Sequence, residues 1–189
     1  MTAFLSNDVI NLRPVRRTDL ALLAEWRNAP EIRRATREWR ALTEADQEHW
    51  FQRISGPDRR DHMFVVERTS DGLPVGVVGL VHWSPTDGTA EVSFFIGRQD
   101  ARGQGHARGA LTLLLGWGFD VMRLERIVAE TYAFNDASFG LLTSLGFVVE
   151  GRMRAHVHRD GRRWDANILG LMRDEWHPKE EKPAEGQPA

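Results

Sequence analysis

The sequence predicts one α/β domain, of the α+β kind, with about seven strands and four helices around a shared hydrophobic core. A chain of 189 residues with 41% hydrophobic residues has the size and composition of a single globular domain. Its hydrophobic period changes between two and 3.6 along the chain, as expected of mixed strands and helices. The predicted order is strand, two helices, three strands, helix, strand, helix and two strands.

The first part of the chain predicts one strand and one helix. Residues 9–13 read as a short strand. Thr18 and Asp19 carry side chains that cap helix N-termini, so a helix should follow them. We expect this helix to end near Asn28, because Pro30 disfavours helical geometry in the residue before it.

A second helix is predicted to begin at Thr43. The stretch Thr43-Glu44-Ala45-Asp46 resembles a capping box, in which the N-cap residue and an acid three residues later bond each other's backbone amides. The buried stripe of this helix should consist of Trp50, Phe51 and Ile54.

Three strands are predicted in the middle of the chain, over residues 62–68, 75–83 and 89–96. The connections Ser70-Asp71-Gly72 and Pro85-Thr86-Asp87-Gly88 contain the Asp, Pro and Gly residues that tight turns require. The three strands should therefore form an antiparallel meander. A longer helix follows, whose buried face is predicted to carry Ala107, Leu111, Leu114, Leu115 and Phe119.

The last part of the chain predicts a strand, a helix and a hairpin. The strand covers residues 126–131, and the helix is capped at Asn135 or Asp136 and stopped by Gly146. The hairpin turns at Asp160-Gly161, a dipeptide typical of two-residue turns. We expect the domain to cover residues 1–176. The remainder, residues 177–189, is rich in Lys, Glu and Pro, which predicts a disordered tail.

Composition excludes several classes of protein. The chain has 25 basic and 27 acidic residues, a net charge of -2, and so lacks the basic field of a nucleic-acid binder. It has no cysteine, which excludes disulfides, thiolate metal sites and a cysteine nucleophile. Neither a signal-peptide pattern nor an apolar run of about 18 residues occurs, so we expect a cytoplasmic protein.

The sharpest motif is Arg102-Gly103-Gln104-Gly105-His106-Ala107, at the start of the longer helix. The first amides of a helix lack intrahelical partners and the helix dipole is positive there, so an anion is attracted. Gly105 lets a ligand approach the backbone, and Arg102 and Arg108 add positive charge. The P-loop ending and the dinucleotide-binding Gly-x-Gly-x-x-Gly pattern are both missing. The motif therefore predicts that the chain binds a diphosphate group but belongs to neither of these two classes of protein.

This motif resembles the Arg/Gln-x-x-Gly-x-Gly/Ala signature of the GCN5-related N-acetyltransferases (GNAT). The likeness extends from about Val9 to Trp176 and is strongest to the RimJ/RimL-type branch. Several short pieces carry it in the same order: Leu12-Arg13-Pro14, Glu25-Trp26-Arg27-Asn28, Ala90-Glu91, Asn135-x-x-Ser138, Leu145-Gly146-Phe147 and Arg159-Asp160-Gly161. The resemblance implies an acetyl-CoA-dependent N-acetyltransferase.

The GNAT resemblance also implies a mixed sheet that splays open between the strand ending at Ile96 and the strand of residues 126–131. The pantetheine arm of acetyl-CoA would lie in that gap. The implied cofactor contacts are the backbone of Phe95, Ile96 and Gly97, the signature residues Arg102 and Gln104, the amides of Gly103, Gly105, His106, Ala107 and Arg108, and the side chains of Asn135 and Ser138. The alternative for Asn135 is a role as helix N-cap alone.

Two glutamates are candidates for the catalytic base. Attack on a thioester requires a neutral amine, so a base must accept the amine's proton directly or through water. Glu91 and Glu130 lie in strands that should border the gap. Glu130 interrupts an apolar run and is preferred, because a buried carboxylate is a stronger base. The alternative is that one or both carboxylates pair with an arginine.

The usual proton donor of the family has no counterpart here. GNAT enzymes often place a tyrosine in the helix after the Asn-x-x-Ser element, where its hydroxyl can protonate the leaving thiolate. Leu142 occupies that position, and the only tyrosine of the chain is Tyr132. Tyr132, a water molecule or no dedicated acid are the open alternatives.

The acceptor pocket should be walled by the first two helices and the terminal hairpin. Trp26, Arg27 and Asn28 resemble an element of relatives that acetylate nucleotide-linked amino sugars. The alternative makes Trp26 a core residue and Arg27 a solvated charge. His156 and His158 lack a third ligand at metal-site spacing, so we predict no metal and place His156 in the acceptor site or on the surface.

The leading hypothesis is acetylation of a small-molecule amine, such as an amino sugar, an amino acid, a polyamine or an antibiotic, by a monomer or homodimer. A second hypothesis makes the acceptor a protein N-terminus, as for ribosomal-protein acetylases. A third makes the chain a non-catalytic acyl-CoA-binding module. We expect neither nucleic acid nor a membrane as a partner.

Overall fold

The computed structural model describes residues 3–177, so the predicted tail lies outside the described residues from position 178 onward. One mixed sheet contains all eight strands of this part of the chain, in the order β1-β2-β3-β4-β5-β6-β8-β7. Neighbouring strands are antiparallel except for β5 and β6, which run parallel. The strands are β1 (Leu5–Ser6), β2 (Ile10–Pro14), β3 (His62–Arg68), β4 (Pro74–Ser84), β5 (Thr89–Ile96), β6 (Arg126–Tyr132), β7 (Val148–Arg159) and β8 (Arg162–Met172).

Five α-helices in residues 3–177 cover the two faces of the sheet. They are α1 (Leu20–Asn28), α2 (Pro30–Ala35), α3 (Glu44–Ser55), α4 (His106–Asp120) and α5 (Asp136–Ser144). On one face, Leu23 and Ile54 of α1 and α3 pack against Val65 and Val77 of the sheet. On the other face, α4 and α5 enclose a larger core that includes Leu111, Leu114, Leu142 and Ile127. The sheet thus separates two hydrophobic layers, which confirms the predicted fold class.

Two elements were not predicted. The strand β1 has only two residues, and the helix α2 has six and begins with Pro30 at its first turn. Both are too short to show a hydrophobic period. The seven predicted strands and four predicted helices are all present, including the antiparallel meander β3–β5 and the hairpin of β7 and β8.

Local signals behave as the sequence predicts at α3 and at the hairpin. The Thr43 hydroxyl accepts a hydrogen bond from the Asp46 amide at 3.2 Å, and the Asp46 carboxylate accepts one from the Thr43 amide at 2.8 Å. Asp160 and Gly161 both have positive φ, 51° and 73°, as a type I′ turn requires. The predicted stripe of α3 is only partly correct, because Trp50 and Phe51 are half-buried while Ile54 is buried.

The predicted cap at Asp19 is wrong. Its carboxylate makes no cap bond to α1 and instead accepts hydrogen bonds from Arg13 Nη1 at 2.7 Å and Nη2 at 2.9 Å, and from the Arg16 amide at 2.7 Å. Arg13 also donates to Glu67 on β3. Burial raises the pKa of Asp19, but the bonds from Arg13 and Arg16 outweigh it and hold the pKa below its usual value. This buried pair joins β2 to the start of α1.

We predict that Asp19→Asn lowers the free energy of unfolding by about 2–4 kcal/mol at neutral pH, because it removes the charge of the buried carboxylate that binds the Arg13 guanidinium through two hydrogen bonds. Since the folded-state pKa of Asp19 is lowered, this contribution is present above pH 3.8, the ordinary value, and is lost as the pH falls through the folded value. Urea denaturation above and below that pH measures it. Glu48→Gln, which breaks the exposed pair with Arg17, is the control. An equal effect of the two variants would contradict a stabilising role for the buried pair.

Candidate active site

The strands β5 and β6 part after a short parallel contact. They pair only where Thr89–Glu91 faces Arg126–Val128. Beyond this point β5 continues to pair with β4 as far as Ile96, and β6 continues to pair with β8 as far as Tyr132. Residues 92–96 and 129–132 therefore line a gap in the middle of the sheet, as the splayed sheet of the GNAT resemblance implies.

A cavity of about 1280 Å³ fills this gap and opens on both faces of the sheet. Most of the predicted site residues line it. They are Arg27, Glu91, Phe95, Ile96, Arg102, Gly103, Gly105, His106, Ala107, Arg108, Glu130, Asn135 and Ser138. Trp26, Asn28, Gly97, Gln104 and His156 are not part of its lining.

The entrance of α4 forms an open cradle of backbone. Gly103 and Gly105 have φ of 75° and 81°, in the left-handed region that favours glycine, and a Cβ at either position would meet no atom within 4 Å. The first backbone hydrogen bond of α4 runs from the Gly109 amide to the Gly105 carbonyl, 3.0 Å. The amides of residues 106–108 precede this bond and are the donors that a helix start offers to an anion. The cradle thus fits the diphosphate of acetyl-CoA.

The side chains of Arg102 and Gln104 hold the loop in shape. Arg102 donates to the carbonyls of Ile96 at 3.1 Å and Gly97 at 3.3 Å. It also pairs with Glu31 on α2 at 3.3 Å. Gln104 donates its side-chain amide to the Asp100 carbonyl at 2.5 Å. These contacts brace the end of β5 beside the cradle, a role that the charge argument for Arg102 did not predict.

The first turn of α4 buries a different residue from the one predicted. The ring of His106 is only 4% exposed and lies against the Ala101 carbonyl, with Nδ1 at 3.0 Å from the oxygen. Ala107 is half-buried and lines the cavity. In the first turn His106, and not Ala107, is therefore the buried residue. The other four predicted positions of this face are buried: Leu111, Leu114, Leu115 and Phe119.

Trp26 and Gly97 form part of the core. Trp26 is 7% exposed, and a Cβ at Gly97 would lie 2.0 Å from its ring. The Gly97 amide donates to the Val75 carbonyl of β4 at 2.9 Å, so it does not face the gap. The burial of Trp26 fits the alternative of a core role. An acceptor contact by Trp26 and a pantetheine contact at the Gly97 backbone stay predictions.

Asn28 has a structural role as well. Its side-chain amide donates to the Leu42 carbonyl at 2.9 Å, and its side-chain oxygen accepts from the Leu42 amide at 2.7 Å. Both hydrogen-bonding ends of the side chain are thus engaged by the backbone that leads into α3. A substrate contact by Asn28 stays a prediction, and Arg27, between Trp26 and Asn28, lines the cavity.

Glu91 and Glu130 point to the same side of the gap. Glu91 lies opposite Val128 in the parallel ladder, and alternate residues of a strand share a face, so Glu130 is its diagonal neighbour. The two side chains are only 17% and 12% exposed. Arg37 bridges them, with Nη1 at 3.0 Å from Glu91 Oε2 and Nη2 at 2.9 Å from Glu130 Oε2. The alternative of pairing with an arginine is thus observed for both.

The two carboxylates differ in whether they keep an oxygen without a hydrogen-bond partner. Glu130 Oε1 is buried without a hydrogen-bond partner in the described residues, and His156 Nε2 lies 3.6 Å away. Glu91 Oε2 lies 3.4 Å from His82 Nδ1. Burial opposes the charge of Arg37, but the bonds to both carboxylates outweigh it and raise the pKa of the guanidinium. The triad is therefore a fixed set of charges with one acceptor atom left for a ligand.

Tyr132 is the proton donor nearest to this triad along β6. It is 5% exposed, lines the cavity and lies two residues after Glu130, on the same face. Burial raises the pKa of its phenol, and the charge of Glu130 raises it further, so the hydroxyl is neutral at physiological pH. Leu142, at the position of the usual tyrosine, is fully packed in the core.

The remaining predicted residues have simple environments. The Asn135 side chain accepts a hydrogen bond from the Ser138 amide at 3.2 Å and so caps α5; a cofactor contact by either residue stays a prediction. Arg108 donates to the Ser144 hydroxyl at 2.5 Å. Within residues 3–177, no three His, Asp or Glu side chains are placed to hold a metal ion, and no helix is long and apolar enough to cross a membrane.

A helix entrance that offers free amides to a diphosphate, beside a sheet that parts around a carboxylate pair, is the architecture of a coenzyme A-dependent acyltransferase. Residues 10–148 match the family model described as "Acetyltransferase (GNAT) domain". The chain belongs to the GNAT acetyltransferase family. The predicted acyltransferase class and the predicted acetyl-CoA cofactor are thereby confirmed.

Individual relatives agree with this assignment. The chain is 25% identical over 178 residues to a spermidine N(1)-acetyltransferase of Escherichia coli, covering 93% of this chain and 92% of the relative. It is 26% identical to the N-acetyltransferase YoaA of Bacillus subtilis, where the match spans 61% of this chain and only 65% of YoaA. Its fold resembles that of the Vibrio cholerae spermidine N-acetyltransferase in complex with CoA and spermine, with a TM-score of 0.81, 22% identity, and 89% and 98% of the two chains covered.

We predict that Gly105→Asp raises the Kd for acetyl-CoA by about tenfold or more, because it adds a negative charge in the cradle. Gly105→Asn, of the same size and without the charge, should have a smaller effect. Calorimetry with CoA measures both. Gly72→Asp is the matched control, since Gly72 also has positive φ and open surroundings but lies in the β3–β4 turn. Unchanged binding by Gly105→Asp would place the diphosphate elsewhere.

Proposed function

We propose that this chain transfers an acetyl group to the primary amine of a small molecule. The observation that carries this proposal is Glu130 Oε1, a buried acceptor atom without a hydrogen-bond partner among residues 3–177, on the wall of the cavity at the point where the strands part. A buried oxygen without a partner costs free energy unless a ligand donor reaches it. An amine is such a donor. The likeness to spermidine N-acetyltransferases supports a small-molecule acceptor.

Acetyl-CoA, when bound, supplies the acetyl thioester. The amides of residues 106–108 and the open backbone at Gly103 and Gly105 would hold its diphosphate. The parted edges of β5 and β6 would flank its pantetheine arm. On this basis the acyl group reaches the gap from the α4 side of the sheet, and the acceptor amine reaches it from the side of α1 and α3, where both glutamates point.

Glu130 is the proposed base. Arg37 fixes the positions of Glu91 and Glu130, and Glu130 Oε1, which Arg37 does not engage, can accept a proton from the attacking amine, directly or through water. Glu91 has no oxygen of this kind, because its Oε1 lies 2.7 Å from Arg37 Nη2 and its Oε2 accepts from Nη1 at 3.0 Å. Glu91 then serves to position Arg37.

Tyr132 is the proposed acid. Its neutral hydroxyl is the hydrogen-bond donor that can protonate a thiolate, and it lies on the same strand face as the base. The environment of Tyr132 makes it a replacement for the tyrosine that the family often places in α5, where this chain has Leu142.

Several finer assignments remain predictions. They are membership of the RimJ/RimL-type branch, a cytoplasmic location, a state of monomer or homodimer, the lack of nucleic-acid or membrane partners, a disordered tail and a single domain over residues 1–176. His156, near Glu130, remains a proposed acceptor-site residue.

A screen for CoA release from acetyl-CoA tests the proposed function. It compares free amines, amino sugars, amino acids and polyamines with short peptides that have a free N-terminus. The proposal requires turnover with small amines that exceeds turnover with the peptides. Preference for peptides would favour protein N-terminal acetylation, and binding of acetyl-CoA without turnover on any amine would favour a non-catalytic module.

We predict that Glu130→Gln lowers kcat by about 100-fold or more, because the amide cannot accept the amine proton. Binding of acetyl-CoA should change little. Steady-state kinetics as a function of pH, with calorimetry for the cofactor, measures both, and the acidic limb of the rate profile should disappear. Glu150→Gln, on an exposed pair with Arg126, is the control. If the acidic limb of the rate profile disappears only in Glu91→Gln, the base is Glu91 and not Glu130.

We predict that Tyr132→Phe lowers kcat by about tenfold or more and removes the alkaline limb of the rate profile. An acid works while it is protonated, so the raised pKa of Tyr132 keeps the native enzyme active up to pH values above 10, the ordinary pKa. The same pH series tests this prediction. A variant with unchanged kcat would show that water or no dedicated acid protonates the thiolate.

A further inference from the structure

Arg27 is a cation of the cavity wall that has no partner. The residue lies at the C-terminal end of α1, is half-buried and lines the cavity. Its guanidinium makes no hydrogen bond, salt bridge or ring contact with any residue between 3 and 177. Burial lowers the pKa of Arg27. The negative charge of Glu38 raises this pKa, and the positive charge of Arg53 lowers it further. The protein therefore keeps here a partly desolvated positive charge that no side chain of residues 3–177 binds directly.

The other arginines of the cavity wall are engaged. Arg37 pairs with Glu91 and Glu130, Arg40 with Glu38 at 2.8 Å, Arg53 with Asp61 at 3.4 Å and Arg102 with Glu31 at 3.3 Å. Arg108 bonds the Ser144 hydroxyl next to the diphosphate cradle. Arg27 thus differs from the rest in having neither a carboxylate nor a hydroxyl partner.

The neighbours of Arg27 place it on the acceptor side of the gap. Its electrostatic partners are Glu38 and Arg53. Arg53 pairs with Asp61, and the Asp61 carboxylate accepts a hydrogen bond from the His82 amide at 3.0 Å. His82 in turn lies 3.4 Å from Glu91. These electrostatic interactions and contacts connect Arg27 to the glutamate pair.

A second unsatisfied group lies on the same wall. Gln47 of α3 is 2% exposed and lines the cavity, yet its side-chain oxygen has no hydrogen-bond partner in the described part of the chain. A buried amide oxygen without a partner carries a desolvation cost that a ligand donor would remove. Arg27 and Gln47 together require a ligand that has both an anionic group and a hydrogen-bond donor.

The carboxylates on this side are already paired with arginines, which argues against a polycation as the acceptor. Glu38 accepts from Arg40, Asp61 pairs with Arg53, and the two glutamates of the gap share Arg37. A polyamine would have to displace one of these arginines and would also face the free charge of Arg27. Like charges brought together in a partly desolvated cavity repel each other.

We propose that Arg27 binds an anionic group of the acceptor, a carboxylate or a phosphate, so that the substrates are amines that carry a negative charge and not polyamines. This inference rests on the proposed function and names its acceptor class. A planar guanidinium can bind either anion through two parallel hydrogen bonds. The bound anion compensates the charge of Arg27 while the amine reaches Glu130.

The test uses matched pairs of acceptors that differ in charge. L-amino acids and their carboxamides form the carboxylate arm, glucosamine 6-phosphate and glucosamine form the phosphate arm, and spermidine represents the polycations. We expect kcat/KM for the anionic member of at least one pair to exceed that of its neutral partner by about tenfold or more, and spermidine to be a poor acceptor. Arg27→Gln should abolish the preference and Arg27→Lys should retain part of it. Arg17→Ala, at a residue that is not part of the cavity lining, should keep all of it.

A binding measurement separates this inference from the proposed function. Calorimetry of the same acceptors against the native chain and Arg27→Gln, in the presence of CoA, needs no turnover. Loss of affinity for the anionic acceptor in Arg27→Gln supports the inference even if no acceptor is acetylated, in which case only the proposed function fails. Equal affinity in the two proteins, a preference for the neutral acceptors, or a preference for spermidine overturns the inference.

Discussion

The early separation of β5 from β6 is the constraint on which the rest of this structure depends. Two strands that stop pairing inside a sheet leave backbone groups that need other partners. Arg102 is one such partner, because it donates to the carbonyls of Ile96 and Gly97 at the end of β5. The remaining space is a cavity that connects the two faces of the sheet. Helix α4 starts on one face, and the carboxylate pair lies on the other.

The charges around the gap are arranged in two separate groups. At the mouth of α4 the positive field comes from backbone amides, which hold an anion without a side chain that must be ordered. On the acceptor side the charges are side chains, and Arg37 holds Glu91 and Glu130 as one triad. This division lets one cavity accept a diphosphate at one end and a protonated or neutral amine at the other. Arg27 adds a positive charge to the acceptor end with which no carboxylate of residues 3–177 forms an ion pair.

The sequence predicts the elements well and the side-chain partners poorly. The long elements and the turn at Asp160-Gly161 follow from hydrophobic period and local residue types, which act within a few positions. α2 is too short to show a period, and Asp19 is an ordinary cap candidate until Arg13 is seen beside it. Arg37 lies 54 and 93 residues from its two partners, so only the fold brings them together. The same holds for Gln47, whose burial the polar spacing of α3 does not reveal. The glycines of the cradle were predictable because their conformation depends on the backbone alone.

The most direct test of this account is amide hydrogen exchange, followed by mass spectrometry, with and without CoA. The account predicts slower exchange upon CoA binding in peptides that contain residues 103–108 and in the open edges of β5 and β6, because these amides acquire partners. The turn at residues 69–73, which is not part of the cavity lining, should exchange at the same rate in both states. Protection that falls elsewhere and leaves residues 103–108 unchanged would contradict the placement of the cofactor and, with it, the division of the cavity into two ends.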